Sequence, residues 1–80
     1  MIRTSHKLLE KMRQNPRDWR IEELETMAKY YGINIRKSGG SHVIFDPPGW
    51  IELLSIPARR PIKPIYIKKL VLLIDALGED

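Results

Sequence analysis

The chain has 80 residues, a hydrophobic fraction of 42%, a charged fraction of 30% and a formal net charge of +4, the profile of one small folded domain and not of a disordered segment. It contains no cysteine, which excludes a disulfide scaffold, a thiolate zinc site and a cysteine nucleophile, and its two histidines, His6 and His42, are too few to build a metal site without carboxylates. No apolar run approaches the ~18 to 20 residues of a membrane span, and the N-terminus lacks the apolar stretch of a secretory signal, so the expectation is a cytoplasmic protein with a shallow surface site.

Residues 4–14 predict a short amphipathic helix. Thr4 or Ser5 can cap it, Leu8, Leu9 and Met12 form a narrow apolar stripe, and Asn15-Pro16 stops it. His6 reads as a solvated surface residue. Residues 20–31 predict a stronger helix, because Ile21, Leu24, Met27, Ala28 and Tyr31 fall on one face. Glu22, Glu23 and Glu25 crowd its first turns, where the helix dipole favours negative charge; that explains them better than acid catalysis does. Gly32 stands where a left-handed cap belongs, and Trp19 is expected to pack between the two helices.

After Gly32 the period changes to two. Ile33-Asn34-Ile35-Arg36 and His42-Val43-Ile44-Phe45, separated by Ser38-Gly39-Gly40-Ser41, predict a β-hairpin whose glycines take the positive φ of a tight turn. Asp46-Pro47-Pro48-Gly49 is a second turn, and Trp50 to Ile56 is expected as a third strand, completing an antiparallel meander. Pro57 to Pro64 holds three prolines besides Arg59, Arg60 and Lys63, hence a basic, semi-extended loop. The last helix is predicted over 65–77, with Ile67, Leu70, Val71, Ile74 and Leu77 on one face and Gly78 ending it. The order αα-βββ-α gives an α+β fold with helices on one face of a three-stranded antiparallel sheet.

The charge is unevenly placed. Residues 36–69 carry seven basic and two acidic side chains. The basic ones are Arg36, Lys37, Arg59, Arg60, Lys63, Lys68 and Lys69. A surplus beside turns attracts a phosphate backbone, although it also serves as a solubilising surface. Lys68 and Lys69 lie near the start of the last helix, where the dipole disfavours cations, so a ligand-facing role accounts for them better than helix stability. Trp50 and Tyr66 offer stacking surfaces, with core or rim packing the commoner role.

The chain lacks GxxxxGK, GxGxxG, HExxH and GxSxG. Ser41 and His42 are adjacent on a strand and point to opposite faces, so they are not a nucleophile and base pair. His42 stands out for its position just after Gly39-Gly40, within one hairpin of Arg36 and Lys37. An imidazole exchanges protons near neutral pH and can activate a ribose 2′-hydroxyl without a cofactor. On residue type alone a lone histidine at a strand end is usually structural. The alternation leaves both faces open to it, since His42 and Ile44 share one and Val43 and Phe45 the other.

Gly40-Ser41-His42-Val43-Ile44-Phe45, following a glycine-ended helix and a short strand, resembles the signature of the HicA toxin family of bacterial toxin–antitoxin modules. Lys63-Pro64-Ile65-Tyr66-Ile67-Lys68-Lys69-Leu70 resembles the basic, proline-rich lead-in to that family's last helix. The resemblance covers about residues 20–78 of a single domain, with residues 1–19 as an N-terminal helical extension. It implies a double-stranded-RNA-binding-like αβββα fold and a small mRNA-cleaving ribonuclease that needs no metal and no cofactor. It implies His42 as the essential histidine and a HicB-type antitoxin as the inhibiting partner. Many relatives carry a second histidine in a Pro-x-His segment. Here that segment reads Pro57-Ala58-Arg59, so a two-histidine scheme lacks its second imidazole.

The roles that follow are His42 as general base; Arg59, Arg60 and Lys63 on the phosphate or its developing charge; Arg36, Lys37, Lys68 and Lys69 as anchors of the RNA backbone; and Gly40 and Ser41 shaping the turn and offering amides. Two other functions remain open: an RNA-binding module without turnover, and a protein-interaction domain whose basic face meets an acidic partner.

Overall fold

A computed structural model describes residues 4–37, 40–49, 52–59 and 61–77, with side chains from residue 7 onward. The expectations for Thr4, Ser5, His6, Gly39, Trp50, Arg60 and Gly78 fall outside that description. The elements are α1 (Thr4–Gln14), α2 (Ile21–Tyr30), β1 (Asn34–Lys37), β2 (His42–Asp46), β3 (Leu54–Pro57) and α3 (Pro64–Ala76). The sheet runs β1-β2-β3 and is antiparallel throughout, with β2 in the centre. The protein is therefore a small α+β fold of three helices and one three-stranded sheet.

Register decides which face is buried. Ile35 pairs with Phe45, and Val43 pairs with Ile56. Val43, Phe45 and Ile56 point inward and are buried with Leu24, Met27 and Ala28 of α2 and Ile67, Leu70 and Ile74 of α3. Arg36, His42, Ile44 and Ser55 have the opposite parity and form the face that no helix covers. Phe45 is fully buried at the middle of the central strand.

Helix α2 begins where Glu23 reaches back to accept the Arg20 backbone N–H at 2.8 Å. It ends in a Schellman turn: Gly32 N–H bonds Lys29 O at 3.2 Å, Ile33 N–H bonds Ala28 O at 3.0 Å, and Gly32 has φ +72°. Ile33, just outside β1, is buried. Glu23 and Glu25 thus have structural tasks, because Glu25 also meets Lys37 Nζ at 3.4 Å. Trp19 packs against the core and donates its indole N–H to Asn15 O at 2.7 Å.

Helix α1 is part of the core. Leu9 and Met12 are each only 1% exposed and lie in the same cluster as Phe45. The helix packs on α3 and α2, and the Arg13 guanidinium grips the Asp75 carboxylate with two bonds of 2.9 and 3.0 Å.

Two details correct the sequence expectation. The third strand is Leu54–Pro57 where Trp50 to Ile56 was expected: Glu52 and Leu53 are irregular, and Trp50 and Ile51 lie outside the described residues. Pro47 and Pro48 have no N–H to donate, so β2 ends at Asp46, and Glu52, which the register would set against Pro47, has no ladder donor opposite it. Gly40, moreover, is not in the left-handed region. The positive-φ glycines among the described residues are Gly32 and Gly49, so the left-handed demand falls at the second turn and not at Gly40.

Candidate functional site

His42 opens the central strand and is exposed on the uncovered face of the sheet. Pro57 lies opposite it in register. One further bond, from Ala58 N–H to Ser41 O at 2.6 Å, continues the ladder past that pair. Beyond it, Pro61 and Pro64 have no N–H for a further ladder, and the chain leads from the strand end to α3. The result is a cleft of about 440 Å³ lined by Ser41, His42, Pro57, Arg59, Pro61, Lys63 and Tyr66. An imidazole, a guanidinium and an ammonium from distant parts of the chain border one space.

The electrostatics are one-sided. Among the described residues no carboxylate lines the cleft. Lys63 is the N-cap of α3, Pro64 fills the first helical position where a missing N–H costs nothing, and the first turn contains no acidic residue. The positive end of the helix dipole is therefore unopposed beside the two cations. Tyr66, in that first turn, is half-buried against the core and borders the cleft with its ring. The Lys69 ammonium sits 5.8 Å from the centre of the same ring, within cation–π range.

The other sequence candidates are dispersed. Arg36 shares the face of His42, but its guanidinium bonds Asp46 at 2.6 Å. Lys37 has the opposite parity and meets Glu25 across the sheet edge. Neither cation lines the cleft. Lys68 lies in a separate groove with Met12, Arg13, Val71 and Leu72, between α1 and α3. Lys69 reaches the site only through the Tyr66 ring. Gly40 is exposed, with nothing near the place a Cβ would occupy. Arg17 gave no signal in the sequence. It stands beside Lys63 and Pro61 in an adjoining groove, brought there by the fold of the segment between α1 and α2.

Among the described residues no three metal-ligating side chains come together, and no helix is long and apolar enough to cross a membrane. Fold and cleft together define a small α+β protein with an exposed histidine in a cationic, ring-walled cleft. Comparison of the chain with family models, curated proteins and solved structures gives no match.

Proposed function

We propose that this protein is a metal-independent endoribonuclease of the HicA toxin type, with a double-stranded-RNA-binding-like fold, acting on mRNA in the cytoplasm and restrained by a HicB-type antitoxin. The observation that carries the reading is the meeting of His42, Arg59 and Lys63 around one open cleft. A general base must reach its proton, and an exposed imidazole can. A phosphodiester must be held beside that base, and a cleft bordered by cations and a helix N-terminus, with no carboxylate among its described lining residues, supplies the field to hold it.

The reaction follows from those groups. His42 takes the proton of a ribose 2′-hydroxyl. The freed oxygen attacks the adjacent phosphorus as the bond to the 5′-oxygen of the next nucleotide breaks, which leaves a 2′,3′-cyclic phosphate. The departing 5′-oxygen takes up a proton from solvent water, and the imidazolium of His42 returns its proton to solvent. Arg59 and Lys63 stabilise the negative charge that grows on the phosphoryl oxygens, and Arg59 performs this as a fixed cation, since a guanidinium does not release its proton at ordinary pH. Arg36 and Lys37, engaged with Asp46 and Glu25, have a structural role in this scheme, and Lys68 has none.

Controlled expression in a bacterial host tests the reading. The wild-type chain is expected to arrest growth and fragment mRNA, and His42→Ala to do neither at equal protein level. Undiminished arrest by His42→Ala would overturn the assignment. Intact RNA with both proteins would favour a binding module without turnover.

A further inference from the structure

The polar half of the cleft accounts for a phosphate and a base catalyst. It does not account for the walls. Besides the imidazole, three ring-bearing residues line the same space, Pro57, Pro61 and Tyr66, and a phosphate needs none of them. We propose that this ring-walled part of the cleft receives one unpaired nucleobase, stacked on Tyr66, so that the protein selects single-stranded RNA. The inference rests on the ribonuclease reading of the same site and adds the form of substrate it takes.

Several features favour a stacking platform. The Tyr66 ring is packed against the core on part of its surface and has the Lys69 ammonium 5.8 Å from its centre. A ring held in this way loses little freedom when a base lands on it, and base–aromatic stacking is favourable for every base. The backbone also couples the ring to the phosphate-binding side. Tyr66 N–H bonds Lys63 O at 3.0 Å, which ties the backbone that carries the ring to the backbone that carries the Lys63 side chain. The cleft's volume of about 440 Å³ lies in the range of small-ligand sites and suits a nucleotide better than a duplex groove. Within a duplex each base already has neighbours on both faces and offers none to the ring. Stacking reads a face and not a hydrogen-bonding edge, so Tyr66 selects strandedness and leaves base identity open.

The test uses the wild-type protein and a short 2′-O-methyl RNA, which lacks the hydroxyl that His42 would deprotonate and so remains intact during titration. Binding is measured for the single strand, for the same strand annealed to its complement, and for the strand with its bases removed at internal positions. The single strand is expected to bind about tenfold more tightly than the other two. Tyr66→Leu should remove that advantage and Tyr66→Phe should keep it, because the ring and not the hydroxyl is the platform. Equal affinity for single strand and duplex, or an advantage that survives in Tyr66→Leu, would overturn the proposal. A parallel cleavage assay on unmodified RNA separates the two readings. Tyr66-dependent binding without cleavage supports the platform and contradicts the nuclease; cleavage by wild type with affinity unchanged in Tyr66→Leu does the reverse.

Discussion

At the residue scale, function depends on which cations are free to meet a ligand. Arg59 and Lys63 border the His42 cleft, whereas Lys68 faces the groove between α1 and α3. Charge counting along the chain cannot separate these, because it treats every lysine near a turn as equivalent. The structure makes them unequal, and salt titration can detect it. Arg59→Ala and Lys63→Ala are each expected to lower RNA affinity and to reduce the slope of log K against log salt by about one. Lys68→Ala should leave both unchanged. A Lys68→Ala effect as large as that of Lys63→Ala would mean that the RNA lies along α3 and not across the cleft. His42 itself was legible as a candidate from its place after Gly39-Gly40, but not its exposure. Alternation allowed either face, and only the pairing of Val43 with Ile56 puts His42 on the open one.

At the element scale, caps and cross-helix pairs set the frame. Gly32 carries φ +72° in the Schellman turn that leads α2 into β1, with open space where a Cβ would lie. Gly32→Ala therefore costs backbone strain without a clash, about 1 kcal/mol, and is expected to lower the melting temperature by roughly 4 to 8 °C. A melting temperature unchanged or raised would show that the turn does not need glycine.

The Arg13–Asp75 pair joins α1 to α3. The two Arg13 hydrogen bonds hold the Asp75 carboxyl below the usual carboxylate range. A carboxyl depressed in the folded state stabilises above its unfolded pKa and loses that contribution as pH falls through the folded value. Both side chains are about two-fifths exposed, so the contribution at neutral pH is small, about 0.5 to 1 kcal/mol after solvent screening. Asp75→Asn should lose that amount in urea unfolding at pH 7. The gap from wild type should close as pH falls below the ordinary aspartate value of about 3.9. A gap independent of pH would point to packing and not charge.

Helix boundaries were legible because a 3.6-residue period spans many positions: α1 matches its expected range, and α2 and α3 begin or end within one residue of theirs. The third strand was less legible. Composition does not mark where β3 starts: Pro47, which the register would set against Glu52, has no N–H to donate, while Leu53 is irregular although Asp46 stands opposite it.

At the scale of the whole molecule, an 80-residue chain has little apolar surface to spare. One cluster runs from Leu9 and Met12 of α1 through Phe45 of β2 to Ile74 of α3. The family resemblance implies that the first helix is an extension to a core of residues 20–78. Leu9 and Met12 are nonetheless in the common core. Leu9→Ala is expected to cost about 2 to 5 kcal/mol, comparable with a substitution in α3. A loss under ~1 kcal/mol in chemical denaturation would show α1 to be dispensable for the fold. The core also explains why the cleft can be built on irregular chain. The Pro57 to Pro64 loop forms one wall, yet buried Ile56 anchors its start, buried Ile62 its middle and buried Ile67 the helix beyond it.

These scales meet in the His42 imidazole, held at a strand end beside a loop that delivers two cations. The most direct measurement is cleavage of a single-stranded RNA by purified protein in a chelating buffer, with the product ends identified by mass spectrometry. The expected result is fragments ending in 2′,3′-cyclic phosphate, with the rate reduced about 10²- to 10⁴-fold in His42→Ala while its thermal unfolding matches that of the wild type. Equal cleavage by His42→Ala, or no cleavage by a folded wild-type protein, would contradict it.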